Sequence, residues 1–202
     1  MSKRVLARVG LVTLCSFYAV LASATGANAQ TPSGQARAAQ LTTFGVLGVP
    51  TTTTVADTGT LSDASDIRQT SQPTAAIASL LTASTVHAVT IGWPDAVASE
   101  TSLANLALNI AGSTIGAGFV MSRAAVERGS AGVGAVSIDG LSVNGLAVAV
   151  TGAPNQTIAI PGGRLVINEQ VNSATSAVTN ALHLVISGVA DVVVGSAIAR
   201  VQ

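Results

Sequence analysis

Leu141 and Val143 stand two residues apart, Asn144-Gly145 follows, and Leu146, Val148 and Val150 resume the same spacing. Alternation at period two puts the apolar side chains on one face of a strand. Asn-Gly between two such runs is the strongest short-range hairpin signal, because a type I′ turn needs positive φ at both central residues. The stretch therefore predicts two antiparallel strands and a two-residue turn. Upstream, Val136 and Ile138 lie on the opposite parity, and the change falls at Asp139-Gly140, where a β-bulge is expected.

The same grammar recurs twice. Leu106, Leu108 and Ile110 lead through Ala111-Gly112-Ser113-Thr114 to Ile115, Ala117, Phe119 and Met121. Leu182, Leu184 and Ile186 lead through Ser187-Gly188-Val189-Ala190 to Val192 and Val194. Three strand-turn-strand units predict an all-β domain of two packed, largely antiparallel layers, with a β-solenoid as the competing architecture. "PTAAIASLLTAS" has helical propensity as its alternative reading, but propensity is a weak guide beside period. Leu41 to Val49 is expected to open the domain as a strand. Thr51-Thr52-Thr53-Thr54 and "DTGTLSDASDIRQTSQP" are expected to form loops or edge strands.

Lys3, Arg4 and Arg8 precede an apolar run from Val9 through Ala22, and small residues lead to Ala27-Asn28-Ala29. That order reads as a secretory signal peptide over residues 1–29. The run is shorter than the roughly 20 apolar residues that span a bilayer, so no membrane span is expected after cleavage. Cys15 belongs to this segment, with Leu14 where a lipoprotein signal wants a small residue. Residues 30–40, polar and small, read as a mobile lead-in, and residues 41–202 as one domain.

Without the leader the chain has six Arg, no Lys and nine acidic residues, so its formal charge is 6 − 9 = −3. No basic stripe is available for phosphates, which excludes nucleic acid and anionic membrane surfaces as expected partners. No cysteine remains, so stability has to come from burial rather than disulfides. Phe44, Trp93 and Phe119 are the remaining aromatics. The core must therefore be aliphatic, and stacking platforms for sugars or bases are not expected.

"VTGAPNQTIAIPGGRLVINEQ" interrupts this plain composition with polar and turn residues. Pro154-Asn155 and Pro161-Gly162-Gly163 are turn chemistry around a short strand carrying Ile158 and Ile160. Leu165 and Ile167 share a face in the next strand, and Glu169 continues their parity. A carboxylate on the apolar face is costly alone, so Glu169 is expected to be a structural latch at a strand terminus. Asn168, Gln170 and Asn155 are expected to close the neighbouring loop by bonding free backbone groups.

"IDGLSVNG", "VTGAPNQTIAIPGG", "LVINEQ", "TNALHL" and "ADVVVGSAIARV", in this order, resemble the bacterial secreted proteins grouped as the choice-of-anchor P family. The resemblance runs from Gly134 to Val201, and "FGVLGV" and "VADTGTLS" extend it between Phe44 and Arg123. It implies an exported protein with an architecture and a location but no established activity. Family members often end in an interchangeable anchoring signal. Arg200-Val201-Gln202 carries no LPxTG-type motif, apolar segment or basic tail, which argues against covalent anchoring here.

Catalytic and metal chemistry has little to build on. A zinc site needs three or four ligands, and His87 and His183 are far apart with no thiol to help. His183 and Asp191 are the candidates for a hydrolytic triad, but no G-x-S-x-G elbow accompanies them. Glu100, Glu127 and Glu169 lack the aromatic subsites of a glycosidase. Asp57, Asp63 and Asp66 lack the spacing of a calcium loop. "GSTIGAG" and "GSAGVGAVSIDG" lack the strand-loop-helix context of a nucleotide fingerprint. The single threonine run has no fixed repeat of the kind that orders ice. The reading is a secreted or cell-surface structural or interaction protein with no catalytic activity and no cofactor, acting on an unidentified extracellular partner. The alternatives are a small-ligand or ion-binding module and a secreted hydrolase.

Overall fold

A computed structural model describes residues 32–45 and 48–201, so the leader expected over residues 1–29 lies outside the described residues. The chain forms β1 (Ser33–Phe44), β2 (Pro50–Asp57), β3 (Ile67–Ile77), β4 (Leu81–Gly92), β5 (Ala96–Ile110), β6 (Ser113–Glu127) and β7 (Val133–Asp139). It continues through β8 (Ser142–Val143), β9 (Leu146–Ala147), β10 (Gln156–Ile160), β11 (Gly163–Asn172), β12 (Ser176–Ile186) and β13 (Ala190–Arg200). One sheet runs β10-β11-β12-β13-β1-β2. The other runs β3-β4-β5-β6-β8-β9, with β7 also on β6. The strand pairings are antiparallel and the two sheets pack face to face as an open sandwich, which excludes the solenoid alternative.

The hairpins follow the turn chemistry. Asn144 and Gly145 have φ of 51° and 76° between β8 and β9, as a type I′ turn requires. Thr114 N–H donates to Asn144 Oδ1 at 2.8 Å, tying the turn to β6. Ala111 and Gly112 turn β5 into β6, and Ser187 to Val189 turn β12 into β13. "PTAAIASLLTAS" is the β3–β4 hairpin, so the helical reading fails. Cross-strand pairing from Ile77↔Leu81 to Ile67↔Ile91 outweighs alanine's preference for helix.

The mobile lead-in expected over residues 30–40 is corrected from Ser33 onward. β1 begins there and lies inside the first sheet, between β13 and β2. Small side chains are what the position demands: a Cβ on Gly34 would stand 2.3 Å from Thr90 Oγ1 on the facing sheet. Ala36 and Ala38 are buried for the same reason. The opening strand expected over Leu41 to Val49 stops at Phe44, and the chain turns at Gly45. The threonine run lies on β2, an edge strand, as one of the two readings had it.

The alternation of buried and exposed side chains inverts at one level across both sheets. In the first sheet that level holds Ala56 on β2, Gly195 on β13 and Asn168 on β11, all with positive φ. Ala38 and Ala181 stand opposite them on the intervening strands. In the second sheet it holds Thr85, Asn105 and Gly140. A left-handed residue turns the following peptide over, so the next side chain points to the other face. The bulge expected at Asp139-Gly140 is this inversion: Phe119↔Asp139 and Gly116↔Ser142 keep the same offset, so no residue is inserted.

The inversion separates two core regions. One is aliphatic, with Leu81, Leu103, Leu108, Ile115, Leu165, Ile167 and Leu184 fully buried. Each such side chain contributes about 1.5–3 kcal/mol. The other is built mainly of small residues, including Ala124, Ala177, Ala197 and Ala199. There Ser99 Oγ meets Thr90 Oγ1 and donates to Ile198 C=O across the sandwich, both at 2.7 Å. Small side chains let the sheets approach closely, and hydroxyls supply the cross-sheet bond.

Candidate functional site

The parity inversion decides where the polar residues of β11 go. Asn168 has φ of 54°, faces inward and is buried. Its Nδ2 donates to Gly152 C=O at 2.9 Å, and its Oδ1 accepts from Gln170 Nε2 at 2.7 Å. Asn155 donates its main-chain N–H to Asn168 C=O at 2.8 Å and accepts Gln170 N–H on Oδ1 at 3.0 Å. Asn155 and Asn168 therefore close the loop over 152–155, whereas the Gln170 side chain, expected to help, turns to Gly134 C=O on β7 and to Asn168. Pro154-Asn155 forms the turn before β10, and Gly162, with φ of 73°, forms the one after it. Gly163 admits no side chain, because a Cβ would meet Val185 C=O at 1.9 Å.

Glu169 corrects the terminus expectation in two respects. It lies inside β11, which continues to Asn172, and it points to the outer face rather than the apolar one. The left-handed Asn168 breaks the parity that would have aligned it with Leu165 and Ile167. On that outer face Glu169 meets β12: His183 Nδ1 lies 2.9 Å from both carboxylate oxygens, and Asn180 Nδ2 donates to Oε2 at 2.6 Å. His183 Nε2 lies 3.1 Å from Asp191 Oδ1 on β13. The fold thus joins His183 to Asp191, as the triad candidate required, and adds Glu169 on the other side of the ring.

The electrostatics follow from this geometry. The hydrogen bond from His183 holds the Glu169 carboxyl below its ordinary range, with burial opposing and Asn180 assisting. The Glu169 bond raises His183 above the ordinary imidazole value, against the effect of burial, and the charges of Glu169 and Asp191 reinforce it. An imidazole between two carboxylates is stabilised as imidazolium, with both nitrogens donating. A general base needs one nitrogen with a free lone pair facing a nucleophile. Here both nitrogens are taken, and among the described residues no hydroxyl hydrogen-bonds to the ring. The cluster braces three strands.

The other candidates remain separate. His87 lies on the opposite sheet, its Nδ1 2.7 Å from Ser71 Oγ. Among the described residues no group of three or more histidine, cysteine or acidic side chains is disposed to hold a metal. Asp57 binds Gln35 and Arg37. Asp63 bonds Ser65, while Asp66, with its pKa lowered to about 2 by Ser62 and Arg68, ties down its own loop. The three carboxylates serve separate local contacts. Glu100 pairs with Arg123. The glycine runs fall in turns and on β6 and β7.

Sequence reasoning missed a trough on the outer face of the second sheet. A depression of about 330 Å³ beside Trp93 and Val133 adjoins one of about 190 Å³ beside Val89 and Ile91, and they share Ala98 and Ala125. The signal was present as outward-facing alternation on β4 to β6. It was unreadable without knowing which parity faced out. Compared with known proteins, the chain matches no family model, no curated protein and no solved structure.

Proposed function

We propose that the protein is an exported structural or interaction module of the cell surface or extracellular matrix, without catalytic activity. The observation that carries this reading is the Glu169–His183–Asp191 cluster, where, among the described residues, histidine hydrogen-bonds to acid. Its geometry spends both ring nitrogens on bracing β11, β12 and β13. The leader-like residues 1–29 and the likeness to choice-of-anchor P proteins support the location. The apolar trough at Ala98 and Ala125 favours a second reading, a module that takes a small apolar ligand.

Expression of the full chain in a bacterial host tests the first reading. The expected product is exported and begins at Gln30 or its pyroglutamate form. It should turn over none of a panel of chromogenic esters, peptides and glycosides. Retention of residues 1–29 on cytoplasmic protein would overturn the location, and hydrolysis abolished by His183→Gln would overturn the non-catalytic role.

A further inference from the structure

β2 is the outermost strand of its sheet, and its free edge is unpaired among the described residues. One bond fixes the direction of its main-chain groups. Gly45 N–H donates to Val49 C=O at 3.1 Å, so Val49 faces β1, and by alternation so do Thr51 and Thr53. Pro50, Thr52 and Thr54 therefore turn their main-chain groups outward. Pro50 lacks its N–H where the sheet does not need it.

Proteins normally blunt such edges with Lys, inward charge, bulges or covering segments. Pro50 to Thr54 is exposed and carries no charge, and the left-handed Ala56 comes only after it. The far side of the same sheet is treated differently. There β10 is five residues long, and Thr151 is bonded to Gln156 beside it.

We propose that β2 is a self-pairing edge, through which two copies join antiparallel about a two-fold axis at Thr52. In this register Thr52 exchanges N–H and C=O with Thr52 of the second copy. Thr54 N–H donates to Pro50 C=O, and the return bond to Thr54 C=O, which Pro50 cannot donate, is left to water at the exposed end of the ladder. Thr42 Oγ1 already lies 2.9 Å from Thr52 Oγ1, and pairing extends this contact into a row of four threonines across the axis. Shifting the axis to Thr53 would place the positive-φ Ala56 against Pro50, where the ladder breaks. A second copy fits this edge because it offers threonine against threonine, a full pair of main-chain bonds at Thr52, and no charge on either side. The pairing buries less than the roughly 1,200 Å² of a standard interface. Association is therefore weak in dilute solution and favoured where copies crowd on a surface.

Cysteine trapping tests this in a Cys15→Ser background, which removes the native thiol. Under mild oxidation Thr52→Cys should form disulfide dimers at least about tenfold faster than Thr157→Cys on the opposite edge strand, because pairing raises the local thiol concentration. Adding Thr54→Pro, which deletes an outward N–H, should return Thr52→Cys to the control rate while the unfolding midpoint shows the domain still folded. Equal rates for Thr52→Cys and Thr157→Cys would overturn the proposal. So would fast trapping that survives Thr54→Pro in a folded protein.

Discussion

Gly195 stands opposite Ala181 across the β12–β13 ladder, and a Cβ built on Gly195 would lie 3.0 Å from the Cβ of Ala181. Its φ is 66°. The central strand of the first sheet thus makes its parity inversion at the residue best able to take a left-handed conformation. Gly195→Ala should destabilise the domain by about 1–3 kcal/mol from backbone strain, and Gly195→Val by more, because Val120 also lies within 3.5 Å of the added carbon. Urea denaturation monitored by circular dichroism measures both. An unchanged midpoint for Gly195→Val would show that this row does not hold the fold.

The His183 and Glu169 shifts predict a stability optimum in mildly acidic solution. His183 is raised above 6.5, so its contribution is full below about pH 6.5 and is lost as pH rises through the higher folded value. Glu169 is lowered below 4.5, so its contribution is full above about pH 4.5 and is lost as pH falls through the lower folded value. The cluster stabilises most between these limits. Urea midpoints from pH 3 to 9 should fall on both sides for the native protein, and His183→Gln should flatten the alkaline limb. An alkaline limb unaltered by His183→Gln would assign it to another group.

Glu169→Ala removes the acceptor shared by His183 and Asn180. Hydrogen bonds to charged groups are worth about 1.5–3 kcal/mol where they are shielded, and Glu169 is partly exposed. The expected loss is about 1–2 kcal/mol near pH 6, smaller near pH 9, where His183 is nearer neutrality. Chemical denaturation at the two pH values checks the difference. An equal loss at both would mean that Asn180, not His183, carries the bond.

Gly145→Val places a β-branched residue at a φ of 76°. The expected cost is about 1–3 kcal/mol. Because nothing crowds the site within 4 Å, the cost is conformational rather than steric packing. Gly145→Asn should therefore recover most of the stability, since asparagine tolerates the left-handed region. Equal losses for the two variants would contradict the type I′ geometry.

The period-two runs and Asn-Gly and Gly turns determined most strands from β5 through β13 in outline, the Asn144-Gly145 turn, and an aliphatic core with little aromatic content, but not the strand expected through Leu146, Val148 and Val150, which ends at Ala147 with Leu146 exposed. These features are local: the side-chain period and the φ demanded at a turn are written in a few adjacent residues. Only the tertiary structure decided that Gln35 and Arg37 belong to a strand inside the sheet, because the alternating Gly34, Ala36 and Ala38 gain their burial from the closeness of the facing sheet. Only the structure decided that Ala56, Thr85, Asn105 and Asn168 adopt positive φ. None of them needs it locally; neighbouring strands must invert their pleat at one shared level for the ladders to stay paired. That nonlocal constraint turned Glu169 away from Leu165 and Ile167 and brought it to His183, which the sequence had set beside Asp191 but not beside a second carboxylate.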